Sequence, residues 1–499
     1  MFKLKYTNRI LFLSILITGV ALRLYKWNGY SLWFDEIHWV FMRHTRYALL
    51  DSLKSTIFIG KPPLFRFLLY FWIYFGQSEF ILRLLPFTLS ILSILVAYKI
   101  AKMLFDEKTG LIVLFLMSLS PFHIYYSQEL SHYSLTILLS LCSLYYLIRS
   151  LKEDKIYSWI KFVFFTSLSL YANYICLFLV MAENLIFFLS SGIYKKLTKK
   201  WLISNLAILL LCFPWLMMLP KQIDILSGYT DFVYWIPNGS LARIFQTLRL
   251  FNVGYNANFT VHFFASLLFF PLFLVGIFFN LKRERQKVNF LLLWLFAPMI
   301  LAILFSKIIP IFTYRNFFFI LPAYYLLVAL GVSKLKEYIR IFIFSFMILS
   351  GLSLYNYYRN ILPYPEEFYR EGVHAKKDNR GASEYIIDNI KEKDVVVHTC
   401  PSTSQPYLHY FFSSEKRAWC SDDLPTEGEG YVLVRHKSDL PRAIENYERC
   451  WLVLSYWEPH LLDLDPDMEE NKIKKWLDSN LAIIEHKEFT GIKVYLYQI

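Results

Sequence analysis

The sequence predicts a mainly α protein: a polytopic membrane helical bundle of about eleven transmembrane helices, with a small C-terminal α/β extracytoplasmic domain. Three observations carry this. The 499 residues are 56% hydrophobic and only 18% charged, where soluble domains hold roughly 25% charged residues. Apolar runs long enough to span a bilayer recur as far as residue 358. The basic residues fall in short clusters between those runs, so the net charge of +13 reads as loop anchoring and not as a nucleic-acid surface.

The first run, Ile10 to Leu24, lacks a small-residue cleavage site and is followed closely by Tyr25 and Lys26, so it reads as an uncleaved helix rather than a signal peptide. The spans are expected near 8–25, 80–104, 109–126, 132–150, 157–174, 175–192, 201–219, 259–280, 288–307, 315–333 and 339–357. With the N-terminus in the cytoplasm, every dense basic cluster lands on one side. These are Lys99/Lys102/Lys108, Arg149/Lys152/Lys155, Lys195/Lys196/Lys199/Lys200, Lys282/Arg283/Arg285/Lys287 and Lys334/Lys336/Arg340. An odd number of spans then places the tail outside. The transmembrane domain is 1–358, with outer loops at 26–79 and 220–258, and the tail domain is 359–499.

In the first loop, KPPLFRFLLYFWIYFG is apolar enough to lie along the membrane surface. The second loop carries Tyr234, Trp235, Arg243 and Arg249. In the tail, DVVVH and YVLVR read as buried strands, and ASEYIIDNIKEK and NKIKKWLDSNLA as amphipathic helices. No phosphate-binding glycine loop occurs there, so the tail is given no catalytic role. Of the six cysteines, Cys142, Cys176 and Cys212 sit in apolar runs; Cys400, Cys420 and Cys450 lie in the tail, without metal-binding spacing.

Four elements carry chemistry. Asp35 and Glu36 follow the first span among Leu32, Trp33, Phe34 and Ile37. A carboxylate with apolar neighbours at a membrane surface has its pKa raised unless it is paired, which suits a general base. A solvated acid, or a partner for Arg43 or Arg46, is the plain alternative. Lys61 precedes two prolines that exclude helix at its own position; it suits a lipid phosphate, against ordinary snorkelling. SPFHIYYSQELSHYSL brings His123, Gln128, Glu129, His132 and Tyr133 to the outer end of a span. His123, Glu129 and His132 are weak metal candidates, and the sequence requires no divalent metal. Arg315 stands at the mouth of a later span, where guanidinium can bind phosphate oxygens. Acid and cations together suit group transfer from a phosphate leaving group.

The ordered set SLWFDE, GKPPL with SEFILRLLPF, SPFHIYYSQE, and YR with ILPAYYLL resembles the membrane glycosyltransferases of the C-type fold, over most of residues 8–333. It is most similar to the family 39-like group of protein O-mannosyltransferases and aminoarabinose transferases. The resemblance implies a polyprenyl-phosphate sugar donor and an extracytoplasmic lipid, glycan or protein acceptor, with transfer by inversion at the cell membrane. It implies Asp35 and Glu36 as the catalytic acids, with Asp35 the base. Lys61 and Arg315 become donor-phosphate contacts, and Gln128, Glu129 and Tyr133 substrate-binding residues. The chain departs from the pattern at Ser131, at Tyr171-Ala172-Asn173-Tyr174, at Asn316, and at Gly60, where some relatives carry a metal-binding acid. These departures bear on metal use and sugar choice. Two rival readings stand beside it: a glycan ligase or polymerase with a lipid pyrophosphate donor, and a lipid or sugar transporter. Transporters favour repeated halves and midplane charges, whereas here the distinctive polar residues crowd one face.

Overall fold

The computed structural model describes residues 6–40, 49–58, 61–228, 239–256, 258–308, 310–362, 376–412, 430–455 and 468–499. Gly60, Arg43, Arg46, Tyr234, Trp235 and Cys420, all singled out in the sequence, lie outside them. The chain forms two compact units. One comprises Met1–Tyr25, Leu53–Gly76 and Ile81–Val373; the other comprises Lys26–Ser52, Gln77–Phe80 and His374–Ile499. The segment 26–52, which carries Asp35 and Glu36, therefore belongs to the same unit as the tail.

In the first unit the described residues contain eight helices long and apolar enough to cross a membrane. A ninth arises if Glu107–Leu119 and Pro121–Ser127, bent by 59°, count as one span. Every expected span is helical, but the described residues do not confirm the expected count of eleven. Ile156–Ala172 and Cys176–Leu189 have only 17 and 14 residues, about 25 and 21 Å at 1.5 Å per residue, short of a core about 30 Å thick. Asn173 cuts them apart: its backbone is extended, and its side-chain oxygen accepts the Ile175 N–H at 3.2 Å. The expected surface helix forms as Leu64–Phe75.

Tyr314–Val332 is the most enclosed span, 89% of its window being buried. Its packing against Phe259–Leu281 depends on two glycines. A Cβ on Gly331 would sit 1.9 Å from the Leu272 carbonyl oxygen, and one on Gly276 would sit 1.9 Å from that of Leu327. Small residues let membrane helices approach backbone to backbone. The basic turns meet at one end of the bundle: Lys108 donates to the Ser333 carbonyl, Lys152 to that of Met103, and Lys200 pairs with Asp154.

The second unit is built on a five-stranded sheet of order β2-β1-β3-β5-β4. The strands are β1 (Asp394–His398), β2 (Tyr431–Leu433), β3 (Arg449–Ser455), β4 (Ala482–Phe489) and β5 (Ile492–Gln498). The first three run parallel; β5 and β4 extend the sheet antiparallel. Both DVVVH and YVLVR contribute strands, and both expected helices form, as Asn379–Asn389 and Glu469–Asn480. Val396, Trp451 and Val453 pack under Asn379–Asn389 and Pro401–Phe412 on one face. Val395, Val397 and Leu452 meet Leu440, Ile473 and Leu477 on the other. A strand buried on both faces is a continuous apolar run, as β1 is.

Candidate active site

In the first unit the site is organised by the break in the span at Ser120. Pro121 starts the short second half and Ser120 caps it, its hydroxyl accepting the His123 N–H at 3.2 Å. The half-helix ends at Ser127, and residues 128–132 turn the chain into Tyr133–Glu153. This turn lies at the opposite end of these helices from the basic turns. Buried Arg23, near the end of the first span, holds the break open. Its guanidinium donates to the carbonyls of Gly19, Met117 and Ser118 at 2.8–3.0 Å and meets His123 Nδ1 at 2.9 Å. The other ring nitrogen of His123 meets Ser93 Oγ at 3.0 Å.

His123 is thus engaged on both sides, and no group of three or more His, Cys, Asp or Glu arranged to hold a metal occurs among the described residues. The suggested metal set His123, Glu129 and His132 is not assembled, and no step is derived through a metal. Gln128 is also committed: its amide donates to the carbonyls of Arg23 and Tyr25 at 2.7 and 3.0 Å and accepts from the Tyr357 hydroxyl at 2.7 Å.

Glu129, His132 and Tyr133 are buried in the turn. Lys61 and Arg315, both half-buried, converge on it. Burial first, then the charges of Lys61 and of Arg315, hold the His132 imidazole well below its usual pKa. The Arg315 guanidinium lies 5.9 Å from the centre of the Tyr133 ring, and Arg315 and Glu129 both act on Tyr255. Tyr255 shares a 2.6 Å hydroxyl contact with Tyr126. The turn Tyr314–Ile320 that presents Arg315 is held by Arg243, which donates to the Phe312 carbonyl at 3.1 Å and stacks 4.7 Å from the Tyr314 ring centre. Arg23, Ser93 and Tyr255 were not marked by the sequence, where nothing distinguishes a buried arginine in a span from a flanking one.

In the second unit Asp35 and Glu36 occupy the first turn of the helix Phe34–Val40. The Trp33 carbonyl accepts the first helical bond from Ile37 at 2.9 Å, and Glu36 Oε2 accepts the Trp33 N–H at 3.2 Å. This is the return half of a capping box. Glu36 is fully buried and Asp35 half-buried. The adjacent acids therefore differ: one secures the helix start, and the other stands one residue nearer its N-terminus.

Residues 60–218 match the family model described as dolichyl-phosphate-mannose-protein mannosyltransferase. No curated protein matches the chain. Among solved structures, ArnT from Cupriavidus metallidurans in its apo state is similar with a TM-score of 0.58 at 10% identity, over 98% of this chain and 97% of that one. The same protein bound to undecaprenyl phosphate gives 0.60 at 9% identity, over 99% and 98%. The archaeal oligosaccharyltransferase AglB from Archaeoglobus fulgidus, in complex with an inhibitory peptide and a dolichol-phosphate, gives 0.53 at 12%, over 98% and 74%. The likeness to ArnT extends over nearly the whole chain and shows a shared fold, and residues 60–218 resemble the mannosyltransferase family.

Proposed function

We propose that the protein moves a sugar from a polyprenyl-phosphate donor to a hydroxyl-bearing acceptor outside the cytoplasm, with inversion. The convergence of Lys61 and Arg315 on the buried turn at His132 carries this reading. Lysine and arginine side chains beside one turn suit a phosphate monoester that gains charge as it departs. The ArnT and AglB structures hold undecaprenyl phosphate and a dolichol-phosphate, lipids of that chemistry.

In the step proposed, the Asp35 carboxylate takes the proton of the acceptor hydroxyl. The acceptor oxygen forms a bond to the anomeric carbon as the bond from that carbon to the phosphate oxygen breaks. The electron pair of the broken bond leaves on the polyprenyl phosphate, whose charge Lys61 and Arg315 offset. Glu129 and Tyr133 contact the substrate, and Gln128, with its amide occupied, positions the turn. The clustered basic turns face the cytoplasm under the positive-inside rule, with the tail domain outside the cell membrane.

The test has two arms. Mass spectrometry of envelope lipids and glycoproteins from a deletion strain should show a missing sugar. The purified protein in lipid nanodiscs, given a panel of undecaprenyl-phosphate hexoses, pentoses and aminopentoses, should release undecaprenyl phosphate from one of them. An unchanged envelope together with no release from any donor would overturn the proposal.

A further inference from the structure

The residues just before the acidic pair are held by the tail. Ser31 Oγ donates to the Lys377 carbonyl at 2.7 Å and accepts the Asn379 N–H at 2.9 Å. Asn379 Nδ2 donates to the Leu32 carbonyl at 3.0 Å. The Leu32 N–H donates to the Tyr410 hydroxyl at 3.0 Å, and Tyr410 in turn donates to Glu79 Oε1 at 2.5 Å. Both backbone polar groups of Leu32 and the hydroxyl of Ser31 are thus satisfied by residues some 350 positions away in the chain. Ser31, Leu32 and Asn379 are all buried.

The anchors are fixed in their turn. Lys377 Nζ donates to Ser455 Oγ at 2.6 Å, at the end of β3. The Asp378 N–H donates to the Thr490 carbonyl at 2.9 Å, in the turn between β4 and β5. Asp378 also caps the helix Asn379–Asn389 by accepting the Gly381 N–H at 2.9 Å. A continuous line of bonds therefore runs from the sheet through residues 377–379 to Leu32, and three residues further on stands Asp35. The Phe34–Val40 helix has seven residues, too few to hold its own shape, so it depends on the grip at its entry and on its packing against Pro401–Phe412.

We infer that Asn379 and Tyr410 are positioning residues for the acid at Asp35, so that the tail domain sets the geometry of the proton-transfer step. This rests on the proposal that Asp35 is the base. A displacement of about 1 Å can cost about a hundredfold in rate. Tyr410→Phe keeps the ring but leaves the Leu32 N–H without its acceptor, and Asn379→Ala frees the Leu32 carbonyl. Either should lower kcat at least tenfold.

The test uses the full-length protein in nanodiscs, with the donor accepted in the panel above. Undecaprenyl phosphate is the titrated probe for donor-site affinity, and the melting temperature reports on folding. Asp35→Asn, Asn379→Ala, Tyr410→Phe, and each tail substitution combined with Asp35→Asn are compared. Tyr497→Phe serves as the control; it removes a 2.7 Å tail hydrogen bond to Asp478 that does not touch residues 31–36. The expected result is a fall in kcat for Asn379→Ala and Tyr410→Phe at unchanged probe affinity, with Tyr497→Phe near wild type. In the Asp35→Asn background neither tail substitution should cost more, because residues acting through one group are not additive. Full turnover by both tail variants beside an inactive Asp35→Asn overturns the inference alone. So do equal losses in all three tail variants, or full additivity with Asp35→Asn. Normal turnover by Asp35→Asn overturns the base assignment and the inference with it, and that single arm distinguishes the two failures.

Discussion

Separating Asp35 from Glu36 tests the chemistry most directly, because Glu36 is bonded to the helix start while its neighbour Asp35 is the proposed base. Glu36 Oε2 accepts the Trp33 N–H at 3.2 Å from a fully buried position. Glu36→Gln keeps an acceptor oxygen there, so turnover should stay within a few-fold of wild type. Glu36→Ala removes the cap. A lost N-terminal cap costs about 1 kcal/mol, so the melting temperature should fall, and kcat should fall less than in Asp35→Asn. Asp35→Asn keeps size and hydrogen bonding but cannot take a proton, so kcat should fall by about 10²–10⁴. Undecaprenyl phosphate should bind all three variants as it binds wild type, since its contacts are assigned to Lys61 and Arg315. The assay is release of undecaprenyl phosphate by purified protein, with affinity for the lipid phosphate measured separately. An inactive Glu36→Gln beside an active Asp35→Asn would show that the base had been assigned to the wrong acid. Activity in both would refute the mechanism.

Lys61→Ala should weaken undecaprenyl phosphate binding or turnover by tenfold to a hundredfold, the usual consequence of losing a charge-assisted contact worth about 1.5–3 kcal/mol; wild-type values would return Lys61 to simple snorkelling. Gly331→Ala would drive a Cβ to 1.9 Å from the Leu272 oxygen, and overpacking of this kind costs about 1–3 kcal/mol; a lowered melting temperature in nanodiscs is expected, and an unchanged one would show that the helices separate freely. In the tail, burial raises the Asp394 pKa, but hydrogen bonds from Arg449 at 2.5–2.7 Å, from Trp451 and from the Lys391 N–H outweigh it and hold the carboxyl below its ordinary value. The stability it contributes is present above the ordinary carboxylate range and lost as pH falls through the lowered folded pKa. Acid melts followed by tryptophan fluorescence should therefore flatten in Asp394→Asn, and an unchanged pH dependence would refute that role.

The apolar runs located every span because hydropathy is a local sum, and the fold class follows from it. Span length was less legible. The runs 157–174 and 175–192 are continuous in hydropathy, yet the first helix stops at Ala172 and the next starts at Cys176, where a side-chain hydrogen bond at Asn173 competes with the helix. The break at Ser120 was not legible either: the expected span 109–126 runs through it, and the 59° bend is bonded to Arg23, about a hundred positions away. In the tail, DVVVH was legible as a strand buried on both faces. The exposed β4 was not, since AIIEHKEF carries no sustained alternation. The ordered acids and cations were visible as residue types, and the capping bond of Glu36 was not. By composition and spacing Asp35 and Glu36 are alike, and only the family resemblance singles out Asp35. Glu36 becomes the cap only if the helix begins at Phe34, and the entry to that helix is gripped through Leu32, whose N–H and carbonyl are held by Tyr410 and Asn379. The helix entry that Glu36 caps is thus held by residues near the other end of the chain, through contacts that local periodicity cannot register.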